Sequence, residues 1–212
     1  RVGQFPGLPL EPVRAGRTIL VRGSNVDGAK RVVLRATDPD GADEGAVLVS
    51  TNTTGDALLD DRRAWGCEND DRVCVIDCVS LQQGTEPSAE RIKGVSTPAD
   101  LTGVGMQASA FYQLLYDRGI DRIRVGLLSA STLLMYSDLR RVSRFVHTLT
   151  GRVAATDGLA LVALDDDSHD EQVVSTFEQV CDGRIDLRVE GDRRLMRVVG
   201  LPGQPEGWLS LD

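Results

Sequence analysis

Apolar residues cluster in short runs that glycines, prolines and acidic turns separate. Residues 18–22 (TILVR), 46–50 (AVLVS), 73–79 (VCVIDCV), 122–129 (RIRVGLLS) and 159–164 (LALVAL) show little polar alternation. Such runs are the pattern of strands buried on both faces, as in a parallel sheet. Between them the period changes. Val104, Ala108, Phe111 and Leu115 recur at spacings of four, three and four, and Leu139, Val142, Val146 and Leu149 at three, four and three. Each set is one face of a helix. Val173, Val174, Phe177, Val180 and Cys181 predict the inner side of another, and residues 29–36 and 57–66 two shorter helices.

Turn chemistry sets the boundaries. Residues 1–17 are rich in proline and glycine and predict an extended lead-in, residues 37–45 an acidic turn and 81–97 a polar loop. Ser96 or Thr97 can cap a turn with Pro98 at its first position and Asp100 near its start, and Ser137 or Asp138 caps a later helix. Near the end, two strand-like runs flank Gly191-Asp192, which predicts a hairpin, and residues 207–212 can add a last strand. Strands alternating with helices predict an α/β fold: a mostly parallel sheet with helices on both faces and an antiparallel C-terminal hairpin. We expect one domain over residues 1–212, with no internal repeat.

Composition narrows the classes. Of the 212 residues 41% are hydrophobic but only 4% aromatic, so the core must be aliphatic. No apolar run approaches the length of a membrane span, and no signal peptide is visible, so a cytoplasmic protein is expected. The chain opens at Arg1 without methionine, which suggests an upstream segment. The net charge is −8, Asp outnumbers Glu, and Lys30 and Lys93 are the only lysines, a bias that resembles proteins of salt-loving archaea. The acidic excess argues against broad nucleic-acid binding. Cys67, Cys74, Cys78 and Cys181 match no zinc spacing and read as free buried thiols.

One stretch carries candidate chemistry. Residues 18–31, TILVRGSNVDGAKR, run from strand through a glycine-bounded turn into a helix, the layout of a phosphate-binding loop. Gly23 and Gly28 match the two glycines of G-x-x-x-x-G-K-[ST], with Ser24, Asn25 and Asp27 between them. Ala29 occupies the lysine position and Lys30 the hydroxyl position, with Arg31 after them. Asp27 puts a carboxylate in the loop; facing a phosphate charge at ~4 Å and an effective dielectric of about 20, it would cost roughly 4 kcal/mol.

The GLPL lead-in, the strand and loop, the strand ending in VS and the terminal RRLMRVVG hairpin together resemble the RecA-like ATPase core of the KaiC, RadA and GvpD group. STPADLTGVG and LLSASTLLMYSDLRRVSRFVHTLTGRV are similar to an uncharacterised haloarchaeal branch of it. That resemblance implies a RecA-like P-loop fold and the positions of further machinery. Leu128, followed by Ser129, stands where the magnesium-holding aspartate belongs, and Thr51 or Asn52 where the catalytic glutamate belongs. A hydroxyl or amide is no general base for water. The implied protein is a non-catalytic, regulatory or protein-interaction module with degenerate Walker positions, no resident cofactor or metal, and a protein partner or self-association. A divergent ATPase using Lys30, with ATP and magnesium, and a DNA-associated regulator are the alternatives.

The remaining candidates have ordinary readings. His169 with Asp165, Asp166, Asp167 and Asp170 has the residue types of a divalent-metal site, and equally of an acidic turn capping a helix. Arg140, Arg141, Arg144 and Arg152 predict a solvated helix face with local salt bridges. Nothing in the spacing joins Ser129 to His147 or His169 as a catalytic triad.

Overall fold

A computed structural model describes residues 2–24 and 26–211. In chain order the elements are β1 (Val2–Gly3), β2 (Val13–Arg14), β3 (Arg17–Arg22), α1 (Val26–Ala36), β4 (Glu44–Ser50), α2 (Gly55–Ala64), β5 (Val73–Asp77), β6 (Ile92–Gly94), α3 (Leu101–Asp117), β7 (Arg122–Leu127), α4 (Ala130–Tyr136), α5 (Leu139–Ala155), β8 (Leu159–Leu164), α6 (Glu171–Val180), β9 (Gly183–Glu190), β10 (Arg193–Val199) and β11 (Leu209–Ser210). β1 and β2 form a small antiparallel ladder. The others build one nine-stranded sheet in the order β11-β10-β9-β3-β8-β7-β4-β5-β6. From β9 to β6 the pairings are parallel, and β10 and β11 close the other edge antiparallel.

Alternation along the central strands divides two aliphatic cores. Leu20, Val47, Val49, Val125 and Val162 face α3, α4, α5 and α6. Ile19, Val21, Ala46, Leu48 and Leu161 face α1, α2 and the N-terminal lead-in, where Phe5, Leu8 and Val13 are buried. The lead-in is therefore part of the second core.

Two local expectations are corrected. The polar loop 81–97 contains β6, which pairs with β5 through Val75 and Ile92. It was hidden because only Ile92 of its three residues is buried. The run 122–129 ends as a strand at Leu127, and a further helix, α4, follows, because Ser129 turns the chain and its side chain accepts from the Thr132 amide. As expected at STPADL, the Thr97 hydroxyl caps the turn that begins at Pro98 by accepting from the Ala99 amide, and Asp100 then caps α3 by accepting from the Gly103 amide. At α5, Asp138 is the cap, while Ser137 closes α4.

Buried ion pairs tie the amino ends of the strands together. Arg124 and Glu44 are 3% exposed each and meet at 2.7 Å, and the Arg124 guanidinium also donates to the carbonyls of Gln4 and Ala36. Arg122 reaches the other Glu44 oxygen at 3.0 Å. Arg62 of α2, fully buried, pairs with Asp38 and Asp70. Removing one partner strands a buried charge, which is worse than removing both. Glu44→Ala should therefore lower unfolding free energy by roughly 3–5 kcal/mol. The double variant Glu44→Leu/Arg124→Met should lose less than the sum of the two single changes in denaturant titrations.

Candidate functional site

All parallel strands deliver their carboxyl ends to one edge of the sheet. Across it, in spatial order, come the loop after β3, Asp165 after β8, Leu128 and Ser129 after β7, Thr51 and Asn52 after β4, and Asp77 at the end of β5. The topology thus brings the sequence candidates to a common edge, with β8 standing between β3 and β7.

At the loop, Gly23 is dictated by packing. A Cβ there would lie 2.8 Å from the Leu187 carbonyl oxygen and 2.9 Å from the Leu187 Cβ, so the crossing of β9 demands a glycine. Ser24 is exposed, Gly28 and Ala29 are buried and Arg31 is half-buried. Asn25 and the side chain of Asp27 lie outside the described residues. Ala29 and Leu128, each 5% exposed, belong to the same core cluster. The pocket they line with Gly23, Ser129 and Asp165 measures about 20 Å³. That is room for about one water, against the several hundred Å³ of an ordinary ligand pocket.

The neighbouring polar side chains have partners of their own. The Lys30 ammonium is ion-paired with Asp61 of α2, 3.5 Å from the Thr53 hydroxyl and 6.0 Å from the Trp65 ring centre. The Thr51 hydroxyl donates to the Ser129 carbonyl at 3.0 Å. The Ser129 hydroxyl oxygen accepts from the Thr132 amide and hydroxyl, each at 3.1 Å. Exposed Asn52 accepts from Thr53 at 3.4 Å.

Two buried aspartates escaped the sequence reading. Asp77 accepts from the Gly55 amide (2.6 Å), the Val79 and Ser80 amides (2.8 Å each) and the Ser80 hydroxyl (2.6 Å). Burial pushes its pKa up, but these donors outweigh burial and hold it below the usual carboxylate range. It anchors the start of α2, where a Cβ on Gly55 would sit 2.5 Å from Ile92. The one signal was a lone carboxylate inside the apolar run 73–79. Asp186, 5% exposed, accepts from Arg22 (2.6 Å), Arg197 (2.8 Å) and Arg184 (3.1 Å). Burial raises its pKa as well, and the arginines overcome this and depress it. Arg22, the last residue of β3, also meets Glu178 at 2.8 Å and Asp166 at 3.9 Å, so its charge is already answered.

His169 approaches Ser131, not Ser129: Nε2 lies 2.9 Å from the Ser131 Oγ, which accepts from the Asp165 amide. His147 is exposed on α5. Among the described residues no three His, Cys, Asp or Glu side chains converge as a metal site. The salt bridges expected of Arg140, Arg141, Arg144 and Arg152 are not formed among the described residues. Acidic residues are scarce along α5, and its own sequence offers them no i+4 carboxylate. The four cysteines are free; Cys67, Cys74 and Cys78 are buried, but Cys181 at the end of α6 is only half-buried. Burial pushes the thiols of Cys78 and Cys181 up to about 12 and that of Cys74 to about 11, which keeps them unreactive.

A family profile described as a family of unknown function, DUF7504, matches residues 16–187. The chain belongs to that family. DUF7504 here adopts a KaiC-like, RecA-type fold. A KaiC-like protein from the hyperthermophilic archaeon Pyrococcus horikoshii OT3 superposes with a TM-score of 0.67 at 12% identity, over 99% of this chain and 93% of that one. Among curated protein sequences none matches. No helix among the described residues is long and apolar enough to cross a membrane.

The depressed carboxylates predict the acid limb of this DUF7504 chain. A group whose folded pKa lies below its unfolded value of about 3.9 adds stability above that value and loses it as pH falls through the folded pKa. Stability should therefore drop as pH falls below about 4, and Asp186→Asn should flatten that drop while lowering stability at pH 7, read from denaturation midpoints at each pH.

Proposed function

We propose that this chain is a non-catalytic KaiC/RecA-like domain that acts in the cytoplasm as a regulatory or protein-interaction module, through a protein partner or self-association. On this reading it is a haloarchaeal branch with degenerate Walker positions. The observation that carries the proposal is the small space at the carboxyl edge: Ala29 and Leu128, which the resemblance sets at the lysine and aspartate positions, line a pocket of about 20 Å³.

Two further features support it. Lys30, the cation closest in sequence to the missing lysine, is committed to Asp61. The carboxyl edge otherwise presents Asp165 and Asp166 beside an Arg22 already neutralised by Asp186 and Glu178. An incoming triphosphate would meet net negative charge without a free counter-cation from these residues. Thr51 and Asn52 hold no carboxylate to activate water.

Calorimetric titration with Mg-ATP in high salt tests the reading. We expect no saturable heat at micromolar nucleotide and no rise in melting temperature, since a ligand that binds only the native state stabilises it. Micromolar binding, or hydrolysis that Lys30→Ala abolishes, would sink the proposal in favour of a divergent ATPase.

A further inference from the structure

On the face opposite the loop's helix, α5 packs against α4 and α6, but between α3 and α5 the sheet is left partly open. The resulting groove encloses about 270 Å³, close to the lower end of small-molecule pockets. Its floor is Val47, Val49 and Val125 of β4 and β7, and Ala108 and Leu149 form its walls. Two arginines of α5, Arg144 and Arg152, stand along it. In a chain with eight surplus negative charges, neither has a carboxylate partner among the described residues. Arg152 donates to the Ser109 hydroxyl at 2.8 Å and lies 5.3 Å from the Tyr112 ring centre. Tyr112, 5% exposed, also lines the groove with its ring, while its hydroxyl is buried beside Thr156. The Thr156 hydroxyl donates to the Arg152 carbonyl at 2.9 Å.

We propose that the α3–α5 groove is a binding site for a small monocarboxylic acid with an apolar body, such as a medium-chain or aryl acid. The valine floor takes the apolar body, and Arg144 and Arg152 on the α5 wall supply positive charge for the carboxylate. Two guanidinium groups beside an apolar slot favour a carboxylate over a neutral lipid, because charge-assisted hydrogen bonds are the stronger kind. A volume of about 270 Å³ suits a medium-chain or single-ring body. This site is separate from the loop at the carboxyl edge, and the failure of one proposal leaves the other standing.

The probe is octanoate, titrated calorimetrically into the full chain, with octanol and acetate as controls that keep only the apolar body or only the charge. Saturable octanoate binding is expected, with octanol and acetate each at least about tenfold weaker. Arg144→Ala/Arg152→Ala, both exposed positions, should weaken octanoate by at least about tenfold while the thermal transition stays near wild type. Ala108→Trp, which fills the slot, should abolish binding; if that variant does not fold, the arginine pair decides. Absence of octanoate binding at millimolar concentration, or equal binding by the arginine variant, overturns the proposal. So does a wild-type dimer in sedimentation that Ala108→Trp dissociates, since a second copy would then cover the groove.

Discussion

Strands that are apolar on both faces must be covered on both faces, and the chain has to cross the sheet repeatedly to do it. Most of the architecture follows from that burial. Leu20 and Ile19, Val47 and Leu48, Val162 and Leu161 point to opposite cores, so α3 to α6 are committed to one side and α1, α2 and the lead-in to the other. Parallel crossovers then leave every strand's carboxyl end on a single edge, where loops gather and polar groups have to be satisfied.

At that edge many polar groups are satisfied within the protein, although the buried Asp165 Oδ1 has no hydrogen-bond partner among the described residues. Asp77 is held by three amides and a hydroxyl, Ser129 caps α4 and Thr51 bridges to its carbonyl. Lys30 is drawn to Asp61 and Arg22 to Asp186. These contacts hold the edge together from within. Its glycines have packing reasons of their own: Gly23 lies under the Leu187 backbone, and Gly55 lies against Ile92 and Asp77.

Arginine does two different jobs. Arg62, Arg124 and Arg22 are buried or half-buried and paired, and they stitch segments far apart in sequence. The planar guanidinium, with several donors in one plane, suits such multiple acceptors better than an ammonium does. On α5 the arginines have no such carboxylates, and there the same group borders an apolar groove.

The strand runs, the helical faces of α3 and α5, the Gly191 hairpin and the strand–loop–helix about Gly23 were legible in the residues, because periodicity and turn chemistry are local. β6 and α4 were not, since a three-residue edge strand and a seven-residue helix carry too few periods to stand out. Ala29, Leu128, Thr51 and Asn52 could be singled out in the sequence, but their neighbours in space could not. Only the tertiary structure decided that Ala29 packs with Leu128, that Lys30 belongs to Asp61, that His169 meets Ser131, and that Asp186 gathers three arginines from β3, β9 and β10. Those pairings join residues as much as 164 positions apart, and no local pattern encodes which distant partner a charged side chain will find once the sheet has brought it there.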